Sequence, residues 1–190
     1  MTGVSVEYVQ AVDKRWFVMR ASYGREKRAS DFMIDDGTFT FLPMQNVWRN
    51  KDGHRQCTRE VLVPNILFVY TTEEQAETYT KETPQLAFLT YYYDHFTLVD
   101  GKNPPLVVPQ HEMMNFVKAV TADSDHLRLI KPGTCKFRNG DKVRVTQGSF
   151  QGVEGMVARV GRQQRVVVTI RGLCSVATAY VPDAFLTIIS

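Results

Sequence analysis

The tightest constraint on the fold lies near the C terminus, where glycines and valines recur as Gly140-xx-Val143-x-Val145-xx-Gly148-xxx-Gly152-xx-Gly155-x-Val157-xx-Val160. Glycines at that density disfavour helix, and the valines between them favour short extended segments. From Phe137 onward five such segments are predicted, at 143–146, 156–160, 165–170, 179–181 and 186–189. Short strands joined by tight turns over so little chain predict a small five-stranded β-barrel, near the lower size limit for a domain that folds alone. The β-branched run Val166-Val167-Val168-Thr169-Ile170 favours strand over helix there.

The chain upstream has a different style. Residues 15–21 (RWFVMRA) read as a strand, and from 25 to 36 the residues Ala29, Phe32 and Met33 fall on one helical face that Gly37 terminates. Residues 38–43 (TFTFLP) alternate as in a half-buried strand, and 61–70 (VLVPNILFVY) read as a longer one. Thr72, with Gln75 three residues on, opens a second helix that runs to 82 and ends before Pro84. Residues 88–94 (FLTYYYD) predict another strand. Pro109 opens a third helix whose stripe Met113, Phe116, Val117, Val120 is read as core. The expectation is an α+β protein in three parts. A domain at 14–122 combines an antiparallel sheet with about three helices, a polar Pro-Gly-containing linker spans 123–136, and the barrel occupies 137–190.

Composition excludes several classes. With 44% hydrophobic and 23% charged residues the 190-residue chain is neither disordered nor fibrous, and it carries no run of ~18 apolar residues to cross a membrane. The first 13 residues lack the basic start and apolar stretch of a secretory signal. Cys57, Cys135 and Cys174 form no CxxC pair and read as ordinary thiols of a reducing compartment, so a cytoplasmic, membrane-free protein is expected. His54, His95, His111 and His126 sit at unrelated spacings, and the glycine series has no GK[ST], so neither metal nor cofactor nor catalysis is expected.

The net charge of +3 is modest but unevenly spread. Lys and Arg outnumber Asp and Glu 10 to 5 over 14–59 and 8 to 3 over 134–190, and are outnumbered 5 to 10 between. Arg25, Lys27 and Arg28 place cations in the first turn of the predicted helix, where the dipole prefers anions, with only Glu26 opposing. They are either a solvated face or a surface for an anionic partner. Arg49, Lys51, Arg55 and Arg59 surround Asp52-Gly53, a dipeptide suited to a hairpin turn. In 61–70 one face shows Leu62, Pro64, Ile66, Phe68 and Tyr70, the other Val61, Val63, Leu67 and Val69. Such a strand is either buried on both sides or leaves one face open to a partner.

The glycine–valine spacing resembles the KOW motif. Trp16-Phe17-Val18, Tyr23-Gly24-Arg25-Glu26-Lys27-Arg28-Ala29, Phe41-Leu42-Pro43-Met44 and Val63-Pro64-Asn65-Ile66-Leu67-Phe68-Val69 resemble, in order and spacing, the N-terminal (NGN) domain of NusG-type transcription elongation factors. The Pro43-Met44 and Pro64-Asn65-x-Leu67-Phe68-Val69 patterns look closest to the specialised RfaH and UpxY antiterminators. The resemblance implies a non-enzymatic factor, monomeric, that suppresses pausing or termination. It implies docking on the clamp helices of the RNA polymerase largest subunit through a patch matched here by Pro64, Ile66 and Phe68. It further implies contact with exposed non-template DNA, for which Tyr23, Arg25, Lys27 and Arg28 are candidates, followed by Arg20, Arg49, Lys51, His54 and Arg55. In the KOW part, Ile170 and Arg171 match a partner surface, but Arg171 stands where NusG has a phenylalanine, so weakened coupling to Rho and to the ribosome is expected. Arg159, Arg162, Arg165 and Arg171 are candidates for RNA contact instead. The alternative from another class is a ribosome-associated RNA-binding protein built on the KOW barrel.

Overall fold

The computed structural model describes residues 9–122, 125–130, 140–160 and 163–189. Most of the expected linker at 123–136, Cys135 within it, Phe137 and Arg162 lie outside the described residues. The chain groups into two compact units, Met1–Leu42 with Val63–Gln110, and Pro43–Leu62 with His111–Ser190.

In the first unit the strands are β1 (Arg15–Ala21), β2 (Phe39–Phe41), β5 (Ile66–Thr71), β6 (Leu89–Tyr91) and β7 (Val107–Val108). They form an antiparallel sheet in the order β2-β5-β1-β6, with β7 also paired to β1. Helix α1 (Glu26–Asp35) follows β1, within a residue of the range that its periodicity predicts. Ala29 and Met33 of α1 pack on Phe17, Met19 and Ala21 of β1 and on Leu67 and Val69 of β5, with Ala76, Tyr79, Leu86, Phe88 and Leu89 completing the core. Each large side chain so buried contributes about 1.5–3 kcal/mol. Helix α2 (Glu73–Glu77) is capped by Thr72, whose Oγ1 accepts from the Gln75 amide at 3.2 Å, and continues as a π-helical turn, Thr78–Glu82. From that turn the Tyr79 hydroxyl donates to Asp36 Oδ2 at 2.5 Å, which pins the end of α1.

The other side of the sheet is aromatic. Trp16 meets Phe39 edge-on at 5.7 Å and Tyr70 at 5.2 Å, while Phe41 lies 6.3 Å from Phe68. The Trp16 indole donates to Gln110 Oε1 at 3.0 Å.

The run 61–70 is not one strand. Strand β4 (His54–Val61) ends it on one side, β5 begins at Ile66, and a turn intervenes in which Asn65 takes φ 63°. Proline has no amide to donate to a ladder, and Asn tolerates the left-handed region, so Pro64-Asn65 breaks the extension.

In the second unit β3 (Met44–Lys51) and β4 form a hairpin of their own, eight residue pairs in register from Met44↔Val61 to Lys51↔His54. Its turn is the expected Asp52-Gly53, at φ 51° and 79°. Helix α3 (Gln110–Ala122) buries Met113, Phe116, Ala119 and Val120, so Ala119 takes the place expected for Val117. The C-terminal strands are β8 (Arg128–Ile130), β9 (Lys142–Val145), β10 (Glu154–Val160), β11 (Gln163–Ile170), β12 (Cys174–Tyr180) and β13 (Leu186–Ile188). They make one antiparallel sheet in the order β13-β9-β10-β11-β12-β8. Four correspond to predicted strands, and β12 overlaps the strand expected at 179–181 only at its end, because it begins at Cys174. The sixth, β8, comes from the stretch expected to be linker and pairs with β12 from Ser175↔Ile130 to Ala177↔Arg128. Its Ile130 joins Val167 and Ala177 in a buried cluster, which rewards the pairing of a segment whose polar composition predicted none. Within this unit the Asn115 side chain of α3 bridges the β10 backbone, accepting from the Glu154 amide at 2.7 Å and donating to its carbonyl.

Candidate nucleic-acid interface

The loop that joins β1 to α1 is one tight turn, Ser22–Gly24. Tyr23 and Gly24 lie in succession in the left-handed region, at φ 62° and 66°. A bulky aromatic in that region costs of order 1–3 kcal/mol and persists only where surrounding contacts enforce it. Here Asn65 enforces it. Its carbonyl accepts from the Ala21 amide and its Oδ1 from the Gly24 amide, both at 2.9 Å. The Ser22 amide donates to the Phe88 carbonyl at 3.1 Å, and Arg25 Nε donates back to the Ser22 carbonyl at 3.0 Å.

These contacts present Tyr23 to solvent at 90% exposure. Beside it the Arg25 guanidinium lies 4.1 Å from the Phe88 ring centroid and 5.4 Å from that of Tyr23, and Arg28 lies 5.7 Å from Phe88. Cation–π contacts of this kind contribute about 0.5–1 kcal/mol each at exposed sites, and they hold flexible guanidiniums in fixed places. Lys27 is exposed on the same helical turn, whereas Glu26 is buried at 5% exposure. Tyr23, Arg25 and Arg28 are therefore brought together as the sequence suggests. Sequence reasoning misses Phe88, which reads only as the start of a strand, and Asn65. The one signal for Asn65 is that it is polar inside an otherwise apolar run.

Because Asn65 supplies both a left-handed backbone and a side-chain acceptor, Asn65→Ala is expected to lower stability by about 1–3 kcal/mol. Asn65→Gly, which keeps the backbone freedom, should lose less. Urea unfolding of the two variants separates the contributions.

Arg20 does not join this cluster. It sits on β1 in register with Ile66 and Thr90, in phase with Trp16 and Val18 and so on the sheet face opposite to Met19 and Ala21, which pack against α1. Arg49, Lys51, His54 and Arg55 belong to the β3–β4 hairpin of the second unit. All four are exposed, and Arg49 pairs with Glu60 at 2.9 Å.

Three expectations change. Of Pro64, Ile66 and Phe68, only Pro64 is exposed. Ile66 and Phe68 are 5% and 0% exposed, so of the two readings of this strand the one buried on both faces holds, and a docking patch that needs Ile66 and Phe68 at the surface is not present. On that side Ile66 and Phe68 share the face with Trp16, Phe39, Phe41 and Tyr70, whose rings pack against one another across the strands. Ile170 is likewise buried at 1% exposure, which leaves Arg171 as the exposed member of its pair, 3.4 Å from Glu112. Arg171 is itself well solvated while the Glu112 side chain is mostly buried, so the pair lies at the edge of the surface. Arg165 is no surface cation. It is 6% exposed, and its Nη1 donates to the carbonyls of Thr178 at 2.6 Å and His126 at 3.2 Å, so it ties the sheet together. Of the described thiols Cys57 is exposed, while burial pushes that of Cys174 up to about 12.

An α+β scaffold that carries fixed cations and a presented aromatic ring on its surface is the arrangement of a binding module. Residues 14–117, more than half of the chain, match the family model described as "Transcription termination factor nusG". No curated protein matches the chain significantly. The chain belongs to the NusG family. It is a transcription factor of the elongation and termination class, from a family whose members are non-enzymatic, bind RNA polymerase and regulate transcription. No helix among the described residues is long and apolar enough to cross a membrane.

Proposed function

We propose that the chain is a specialised, operon-specific elongation and antitermination factor, with an NGN domain in its N-terminal part and a C-terminal KOW domain whose sheet also takes in β8. It docks on the clamp helices of the polymerase largest subunit and reads exposed non-template DNA through the Tyr23 loop. The observation that carries this reading is Tyr23 itself, a 90%-exposed aromatic held at φ 62° beside Arg25 and Arg28. Strain kept at a surface aromatic is without purpose in folding, and stacking on unpaired bases flanked by phosphate-neutralising cations gives it one.

Docking falls to Pro64, which is exposed. Ile66 and Phe68 serve behind it, as the buried support that fixes the turn. Because Asn65, next to Pro64, also holds the Tyr23 loop, polymerase contact and DNA contact sit on one rigid piece. A factor that binds the closed, elongating polymerase better than the paused one shifts the population toward elongation without making or breaking a bond. Weak coupling to Rho and ribosome is proposed on the strength of Arg171.

The test is a photo-crosslinking amino acid in place of Tyr23 in a reconstituted elongation complex. The reading predicts crosslinks to the non-template strand, weakened about tenfold or more by the exposed-charge pair Lys27→Glu/Arg28→Glu. Crosslinks confined to protein or to nascent RNA would contradict it.

A further inference from the structure

The hairpin of the second unit carries an exposed tryptophan that no core requirement explains. In β3 the residues from Trp48 to the turn are exposed, as are those of β4 through Arg59, so both faces of the distal ribbon meet water. Trp48 itself is 47% exposed. The register places it opposite Cys57, with Asn50 opposite Arg55 and Asn46 opposite Arg59, so these six side chains share one face.

That face is cationic and carries no carboxylate of its own. Arg55 lies diagonally across from Trp48 with its guanidinium 4.8 Å from the ring centroid, and Arg59 stands on the other side of Cys57. Asp125 reaches the base of the face, where it accepts from Asn46 Nδ2 at 2.6 Å. The opposite face differs. It holds Arg49, Lys51 and His54, but Glu60 neutralises Arg49 there.

From this geometry we propose that the Trp48–Arg55–Arg59 face is a second stacking platform for single-stranded DNA, in addition to the Tyr23 loop. The proposal rests on the nucleic-acid part of the function proposed above. One unpaired base stacks on the free part of the Trp48 indole, and Arg55 and Arg59 neutralise the phosphates on either side of it. An indole already paired with a guanidinium is preset for this, because both groups are held before the strand arrives. Single strand is favoured over duplex because stacking needs a base face that a duplex hides.

The chain's other tryptophan, Trp16, is 2% exposed, so quenching of indole emission by an added strand reports Trp48. The experiment titrates the full chain with a fluorescent single-stranded oligodeoxynucleotide, an RNA of the same sequence, and the duplex, following both anisotropy and indole emission. Wild type should bind the single-stranded DNA with quenching and the duplex more weakly. Trp48→Ala should lose about 5- to 150-fold in affinity, Trp48→Phe should keep most of it, and Arg55→Ala should reduce the salt slope by about 1. Unchanged affinity in Trp48→Ala, equal affinity for duplex, or preference for the RNA overturns the proposal. Capture of RNA polymerase by the same Trp48→Ala protein is the control. If capture persists while strand binding falls, the platform is supported; if capture alone falls, the hairpin is a protein contact and the proposal is wrong. Failure of wild type to capture polymerase, with strand binding intact, would instead count against the polymerase reading alone.

Discussion

Replacing Phe68 by alanine is expected to lower the stability of the N-terminal unit by about 3–5 kcal/mol. Phe68 is fully buried on β5, the strand between β2 and β1, so its loss opens a cavity where the sheet cannot collapse. Val18 is its partner across the ladder and Phe41 its ring neighbour. Against a total stability of ~5–15 kcal/mol, the loss is large enough to unfold a substantial fraction of molecules at moderate temperature. Thermal unfolding followed by circular dichroism measures it, and a shift of less than about 1 kcal/mol would show that the site is not packed as described. The consequence for functional work is direct. A charged substitution at Phe68 or Ile66 removes polymerase binding by unfolding the sheet, and so says nothing about docking, whereas exposed Pro64 can be changed cleanly.

Gly155→Ala is expected to be comparably damaging to the C-terminal sheet. Gly155 lies in β10 with its backbone pressed against β11. A β-carbon there would overlap the Val167 carbonyl oxygen and come within 2.8 Å of Val166 Cγ1. Val167 pairs with Met156 in the same ladder, so relief requires the strands to part. Overpacking normally costs about 1–3 kcal/mol, and a clash against backbone belongs at or above the top of that range. Loss of hydrogen-exchange protection across β10 and β11, with the first unit's protection unchanged, is the expected readout. Full protection in the variant would mean that the close approach is not real.

Much of the fold was legible because local chemistry and tertiary packing agree. The α1 stripe of Ala29 and Met33, the Asp52-Gly53 turn and four of the C-terminal strands fall where periodicity and turn residues put them, while β12 starts at Cys174, five residues before the strand expected at 179–181. The failures have separate causes. Hydrophobicity alone joined 61–70 into one strand, when the backbone demands of Pro64 and Asn65 divide it. Residues Arg128–Ile130 form a strand because β12 offers a free edge, which is a tertiary opportunity that no local signal encodes. Arg165 looked like a surface charge because nothing in a sequence reveals that two carbonyls wait to receive it.

The candidate site was half legible for a similar reason. Charge identified Arg25 and Arg28, but the feature that makes the loop distinctive is the left-handed Tyr23, and that depends on Asn65 some forty residues away. The burial of Ile66 and Phe68 is a property of the folded sheet and not of the strand's own pattern, which is apolar on both faces, so the choice between an open and a closed face could not be made from one strand.

The central claim is that this NusG-family chain works by docking on RNA polymerase through the Pro64 turn. Its most direct test is capture of core RNA polymerase by the purified full chain, comparing wild type with Pro64→Glu and with Pro64→Ala as a fold control. The account predicts specific capture by wild type, near-wild-type folding of both variants, and a loss of about tenfold or more for Pro64→Glu, equivalent to about 1.4 kcal/mol. Capture unaffected by Pro64→Glu would place docking elsewhere on the molecule. No capture of polymerase by wild type, with binding to ribosomes instead, would contradict the account and favour the ribosome-associated RNA-binding alternative.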